Sequence, residues 1–326
     1  MQLLLLPFSW LYGFVMWVRN KLFDYGMLSQ RTFDATVISV GNLSVGGTGK
    51  TPHVEKLLRM LQGRRVAVVS RGYGRRTRCF RYVEEGSSAE NVGDEPLQMK
   101  RKFPDVTFAV DEKRAHAIDL LLRQPEKPEI IILDDAFQHR YVKPWMQILL
   151  TDYSRLFTRD FVLPAGRLRE FRKGYRRADL IIVTKCPENL SPEEAEAIKN
   201  EINPQGHQKV LFSSVCYAIP ASAFRGKKVL LLTGIARPEP LLEYLRQETA
   251  DVSHLRFPDH HRYTDSDIRT IIQSAAKADI LLTTEKDAAR LGDTDIFKNT
   301  EIKAKLQVMP ISIKILFRKN KKHENS

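Results

Sequence analysis

Ser44-Val-Gly-Gly-Thr-Gly-Lys-Thr51 gathers in eight residues the chemistry needed to hold a polyphosphate. Gly46, Gly47 and Gly49 tolerate positive φ, so successive backbone N–H groups, those of Val45 and Thr48 among them, can turn inward toward phosphate oxygens. Lys50 supplies a mobile positive charge for the β- and γ-phosphates, and Thr51 supplies a hydroxyl for Mg²⁺. Ser44 stands where the common pattern has glycine, so the match is imperfect at one position. Pro52 falls just inside the helix expected to follow, where its missing donor costs little and the helix dipole adds to the attraction for anions. ATP and Mg²⁺ are the implied cosubstrate and metal.

A second acidic feature suits the first. Ile130-Ile-Ile-Leu-Asp-Asp135 reads as a buried strand ending in two carboxylates, and adjacent carboxylates repel unless a cation lies nearby. Beside a phosphate-binding loop, Asp134 is the expected Mg²⁺ ligand. Ser70-Arg-Gly-Tyr-Gly74 and Gly93-Asp-Glu-Pro96 read as loops at the carboxyl edge of a sheet, where open α/β folds bind ligands. Phe257-Pro-Asp-His-His-Arg-Tyr263 sets a carboxylate beside two imidazoles, which suits acid–base or orienting work. Leu163-Pro-Ala-Gly-Arg-Leu-Arg-Glu170 brings two arginines into a tight turn, and Thr284-Glu-Lys-Asp287 reads first as a helix cap.

These loops need a scaffold that alternates strands with helices. Apolar runs at 35–40, 66–70, 130–133 and 147–151, with helical spacing at 52–61, 96–102 and 114–123, imply a doubly wound α/β sheet. Residues 75–92 are polar and basic and read as a surface excursion. A second α/β unit is expected from runs at 179–184, 229–233 and 279–284, with helices at 192–201 and 238–247 between them. The expected partition is an N-terminal helix over 1–30, a P-loop domain over 31–154 completed by 294–326, and a second domain over 155–293. Residues 306–315 alternate like a strand that returns to the first sheet or to the linker, and the basic tail from 317 is expected to be solvated.

The first 18 residues carry no charged side chain, and Arg19 and Lys21 follow. A signal peptide has the opposite order, and Pro7, Ser9 and Gly13 interrupt what would be a minimal transmembrane span. With Phe8, Trp10, Tyr12, Phe14 and Trp17, the segment reads as an interfacial helix, ahead of a buried core helix or a span. Arg19 and Lys21 are then expected at the phosphate level of an anionic leaflet. The net charge of +13 over 326 residues favours anionic partners, but no basic–aromatic pattern accompanies it, so nucleic acid is not expected. Cys79, Cys186 and Cys216 form no CxxC pair and read as free thiols.

Taken in order, Gly41-Asn-Leu-Ser-Val-Gly-Gly-Thr-Gly-Lys-Thr-Pro52, Ser70-Arg-Gly-Tyr-Gly74, Val92-Gly-Asp-Glu-Pro96, Asp134-Asp-Ala-Phe-Gln-His139, Leu163-Pro-Ala-Gly166 with Leu168-Arg-Glu170, Phe257-Pro-Asp-His-His261 and Thr284-Glu-Lys-Asp287 strongly resemble the tetraacyldisaccharide 4′-kinase family of lipid A biosynthesis. The resemblance implies two α/β/α sandwich domains flanking a cleft, the first of P-loop NTPase type, with an apolar membrane-associating N-terminus. It implies ATP-dependent phosphorylation of the 4′-hydroxyl of a tetraacylated disaccharide 1-phosphate, by a monotopic enzyme on the cytoplasmic face of the inner membrane with no obligate protein partner.

Carried over residue by residue, the resemblance makes Lys50 the phosphate-binding lysine, Thr51 a Mg²⁺ ligand, and Asp134 and Asp135 the acidic pair. Asp94 becomes the carboxylate that helps deprotonate the sugar hydroxyl, and His261 the catalytic histidine, with His260 beside it. Arg71, Arg114 and Arg169 fall where they could face ATP or lipid phosphates. Ala136 and Arg167 depart from the glycine and proline common at those places. The competing reading is a membrane-associated P-loop ATPase that uses hydrolysis as a conformational switch.

Overall fold

The computed structural model describes residues 5–248, 251–259, 261–292, 294, 296 and 299–317. It falls into two compact units interleaved along the chain, residues 1–71, 111–216 and 313–326 in one, 72–110 and 217–312 in the other. Strands are numbered in chain order.

In the first unit, β1 (Thr36–Asn42), β2 (Val66–Ser70), β5 (Ile130–Asp134), β6 (Met146–Asp152), β7 (Leu180–Thr184) and β8 (Lys209–Tyr217) run in the spatial order β8-β7-β6-β1-β5-β2. All adjacent pairs are parallel, with Val40 opposite Asp134 and Ile148 on its two neighbours. β2 and β5 are buried along their whole length, which is why they read as continuous apolar runs. The C-terminal strand β13 (Ile311–Ile315) lies beside β8, and the Leu316 N–H donates to Phe212 O at 2.8 Å.

Helix α1 (Leu6–Asp24) inverts the usual burial pattern. Over its first turns the buried face is small: Ser9 Oγ accepts from the Ala165 N–H, and a Cβ on Gly13 would meet the Phe171 ring at 2.5 Å, while Phe23 is buried at the far end. Most of its large residues point outward, with Phe8, Trp10, Leu11, Phe14, Val15 and Trp17 each 47–71% exposed. Among the described residues no helix is long and apolar enough to cross a membrane. Of the flanking basic residues, both terminal nitrogens of Arg19 donate to Gln138 O, and Lys21 makes an exposed pair with Asp24 one turn along the helix.

In the second unit, β9 (Val229–Thr233), β10 (Val252–Arg256), β11 (Ile280–Thr284) and β12 (Leu306–Met309) form a parallel sheet in the order β10-β9-β11-β12. Alternation along the strands sends Leu230, Leu232 and Leu281 to the helix Asp265–Ala275, and Val229, Leu231 and Leu282 to the helix Glu239–Arg246. A short antiparallel pair, β3 (Arg81–Val83) with β4 (Thr107–Val110), also belongs to this unit, with the helix Asp94–Lys102 between its strands.

The units are therefore cut differently from the 31–154, 155–293 and 294–326 partition. β7, expected in the second unit, pairs with β6 in the first sheet. The excursion at 75–92 carries β3 and a helical turn at Ala89–Val92. The strand expected over 306–315 is two strands, broken at Pro310, where the missing N–H ends the ladder with β11.

Candidate active site

The loop after β1 is shaped by two glycines and anchored on both flanks. Of the three glycines that tolerate positive φ, two use it: Gly46 has φ 107° and Gly49 φ 84°, while Gly47 does not. A Cβ built on Gly46 or Gly47 would meet no protein atom within 4 Å, so side-chain-free backbone here leaves room for something other than the protein. The Val45 N–H donates to Arg167 O and the Arg169 N–H to Leu43 O, so the loop enters paired with the segment 167–169, where Ser44 bridges Leu168. The following helix, α2 (Lys50–Met60), starts at left-handed Gly49 with no side-chain cap and no acidic residue in its first turn. Its N-terminal N–H groups and dipole favour an anion there.

The carbonyls of the loop face the other way, and each from 46 to 49 has a donor. Gly46 O accepts from the Thr48 N–H, Gly47 O from Lys185 Nζ, and Thr48 O from Thr184 Oγ1 at 2.9 Å. Gly49 O accepts from His53 Nδ1 at 2.7 Å, while His53 Nε2 accepts from Ser213 Oγ at 3.0 Å. Burial pushes His53 down to about 4, so the ring is neutral at pH 7 with its proton on Nδ1, held there by the carbonyl.

Four charged groups meet at the end of β5. Lys50 Nζ lies 3.7 Å from Asp135 Oδ1, and Arg169 forks onto the same carboxylate at 2.9 and 3.1 Å. Burial alone would raise the Asp135 carboxyl, but the charges of Lys50 and Arg169, the Arg169 hydrogen bond and Arg114 outweigh it and hold the group below the usual carboxylate range. Asp135 has φ 49°, a left-handed conformation that costs a non-glycine residue about 1–2 kcal/mol, the kind of strain found where function requires it. Asp134 is buried and accepts from Ser70 Oγ at 3.3 Å; Thr51, in the first turn of α2, is also buried.

Of the three arginines expected to face phosphates, each has a different setting. Arg169 is committed to Asp135 and Gln138 Oε1. Arg114 is buried, donates to the carbonyls of Asp111 and Glu112, and is pushed down to about 10 by burial, against the pull of Asp134 and Asp135. Arg71 is exposed, and its charge further lowers Arg114.

In the second unit, Asp94 opens the helix Asp94–Lys102 after Gly93 at φ 92°, and its Oδ2 accepts from Arg290 Nε at 2.7 Å. Arg290 is held in turn by Gly234 O at 2.8 Å and by Asp287 Oδ1 at 3.0 Å. Asp287, wholly buried, also accepts from the Gly234 N–H and from the hydroxyls of Thr284 and Tyr263. Thr284 is the N-cap of the helix Glu285–Leu291, as read from the sequence, and Lys286 reaches both Glu95 and Asp259. The Thr-Glu-Lys-Asp segment thus ties the Gly-Asp-Glu-Pro and Phe-Pro-Asp loops together. His261 stacks on Phe257 with centroids 4.8 Å apart, and its Nε2 lies 3.0 Å from Asp267 Oδ2. His260 lies outside the described residues.

Sequence reasoning missed His53, Thr184, Lys185 and Arg290. The sequence carried one usable signal, the Thr184-Lys185 pair at the end of an apolar run, the position where strand ends deliver side chains to a ligand edge.

A model of the LpxK family, described as tetraacyldisaccharide-1-P 4′-kinase, matches residues 1–325. A tetraacyldisaccharide 4′-kinase of Bacteroides thetaiotaomicron is 46% identical over 337 residues, covering 96% of this chain and 88% of that protein. One from Parabacteroides distasonis is 48% identical over 311 residues, covering 89% of this chain and 84% of the relative. Among solved structures, LpxK from Aquifex aeolicus in complex with ATP superposes with a TM-score of 0.76 at 30% identity, covering 96% of this chain and 95% of that one. A match over almost the whole chain, and relatives well above 40% identity, establish that the chain belongs to the LpxK family of tetraacyldisaccharide-1-P 4′-kinases.

Proposed function

We propose that this protein transfers the γ-phosphoryl group of ATP to the 4′-hydroxyl of a tetraacylated disaccharide 1-phosphate, giving the 4′-phosphorylated lipid A precursor. The observation that carries this reading is the uncapped, glycine-shaped loop with Lys50 and Arg169 converging on Asp135, in a chain of this family.

Phosphoryl transfer asks a protein mainly for positioning and for positive charge around the moving group. With the Val45 and Thr48 N–H groups, expected to face phosphate, bonded instead to Arg167 O and Gly46 O, the N–H groups of Gly46, Gly47, Gly49, Lys50 and Thr51 cradle the triphosphate, and Lys50 follows the β- and γ-phosphates. Asp135 holds Lys50 and Arg169 in place until the nucleotide arrives and draws them onto its phosphates. Thr51 and Asp134 are oxygen donors of the kind Mg²⁺ takes alongside water and phosphate, so they fit as its holders. Held by those residues, Mg²⁺ would supply positive charge to offset the charge on the phosphate oxygens during transfer. In the second unit Asp94 accepts the hydroxyl proton, with Arg290 fixing its carboxylate, and His261 orients the acceptor. Arg71 and Arg114 serve substrate phosphates.

The exposed aromatic face of α1 is the natural contact with the bilayer that holds the lipid, on the cytoplasmic side of the inner membrane. Arg19 ties the helix to Gln138 O, and the exposed Lys21 is placed to meet the leaflet's phosphates. Labelled ATP incubated with a tetraacyldisaccharide 1-phosphate tests the assignment: label in the lipid is expected, and release of inorganic phosphate alone would instead support an ATPase switch.

A further inference from the structure

A loop that points its N–H groups at a ligand must turn its carbonyls away, and buried carbonyls need donors. In this protein the two central carbonyls, Thr48 O buried and Gly47 O exposed, take their donors from the last residue of β7 and the residue after it, not from the loop itself. Thr184 Oγ1, wholly buried, reaches Thr48 O at 2.9 Å, and Lys185 Nζ reaches Gly47 O while pairing with Asp152 at 2.9 Å. Lys185 has φ 56°, a second strained non-glycine residue at a strand end beside the loop. That backbone turn sends its side chain back over the loop rather than onward with the chain. Asp152, at the end of the neighbouring strand β6, is held below the usual carboxylate range: burial opposes this, but Lys185 and the Ser154 hydroxyl outweigh it, so the lysine has a charged anchor.

We propose that Lys185, with Thr184, is a positioning residue for the triphosphate: by pinning the outward carbonyls of Gly47 and Thr48 it keeps the loop's N–H groups turned inward. The lysine touches the loop, not the reacting atoms. The proposal rests on the reading that residues 44–51 bind ATP. It differs from a nucleoside contact in one respect, because a residue that acts through the loop's carbonyls affects every polyphosphate alike.

The test compares Lys185→Met, Lys185→Arg and Thr184→Val with the unaltered full chain. Binding of MgATP and of magnesium tripolyphosphate is measured by calorimetry, and KM for each substrate and kcat by turnover. A hydrogen bond from a charged donor contributes enough that Lys185→Met is expected to weaken MgATP roughly ten- to a hundredfold. Tripolyphosphate should weaken by the same factor, KM for the lipid and kcat should stay within about threefold, and Lys185→Arg should restore most of the loss. Thr184→Val, which keeps shape and removes the donor, should weaken both polyphosphates by about three- to tenfold. Unchanged MgATP affinity in Lys185→Met, or a loss for MgATP without one for tripolyphosphate, would overturn the proposal. If Lys185→Met does not fold, the arginine and valine variants decide by the same comparison. Failure of the unaltered protein to bind MgATP would instead remove the reading beneath it.

Discussion

The outward face of α1 makes a prediction whose size follows from exposure. Trp10 is 71% and Phe14 56% exposed, and neither belongs to the face that meets Phe171 and Ala165. Burying a large apolar side chain completely stabilises by about 1.5–3 kcal/mol, so the exposed fractions of these two are together worth roughly 2–4 kcal/mol on entering an apolar boundary. Replacing both with glutamate removes that gain and adds two charges that resist insertion. At 1.4 kcal/mol per decade, partition onto vesicles should fall by about thirty- to a thousandfold. Co-sedimentation with zwitterionic and with anionic vesicles measures it. Because this contact is apolar, raising the salt to 0.5 M should change the unaltered protein's partition onto zwitterionic vesicles by less than about threefold. Both side chains stand clear of the core, so the thermal midpoint should move by no more than an exposed substitution allows, about 0.5 kcal/mol equivalent. Undiminished partition would refute the docking role, and a large drop in midpoint would show that the face is packed rather than presented.

Three further outcomes follow from the first unit. Lys50→Met should lower kcat by about 10²–10³ with little loss of stability, since its ion pair with Asp135 is long; turnover and a melting curve check both. Glu170→Gln should destabilise by about 3–5 kcal/mol, because the buried carboxylate accepts from Asn20, Gln138 and both ends of the Arg177 fork; a cycle with Arg177→Met, read by denaturant midpoints, should recover part of that cost. Burial raises the Asp160 carboxyl, but Arg155 and the N–H groups of Phe161 and Arg167 more than offset it and hold the group below its ordinary value. Its contribution to stability is then present above the unfolded value of about 3.9 and lost as pH falls through the lower folded value, so Asp160→Asn should flatten the fall in midpoint between about pH 5 and 3.

What the sequence disclosed was what is local in the chain. Gly46 to Thr51 are contiguous, and β5 is a five-residue apolar run, so loop and strand could be read without knowing their neighbours. Pairings across the chain left no such trace. Asp94 and Arg290 are 196 residues apart, and Lys185 meets Gly47 across 138. β8 mixes Lys209, Ser213 and Ser214 with its apolar residues, so neither alternation nor a continuous run marks it. β7 was placed in the wrong unit because proximity in sequence stood in for parallel pairing, which joins strands through long crossovers. Nor did the chain mark its crossings between units with linkers: the first falls between Arg71 and Gly72, inside a motif of five residues.

Those crossings bear on how the protein is made. The chain passes between units four times, after residues 71, 110, 216 and 312. The phosphate-binding loop is synthesised by residue 51, yet β8 gains its outer neighbour only when Ile313 to Leu316 leave the ribosome. Until then the first sheet carries an open parallel edge, the feature most prone to pairing with a wrong chain. The second unit, its four-stranded sheet complete by Met309, is finished before the first, although the first was begun earlier. Chains truncated near residue 312 would therefore hold every residue assigned to nucleotide and acceptor, and still emerge as aggregation-prone products.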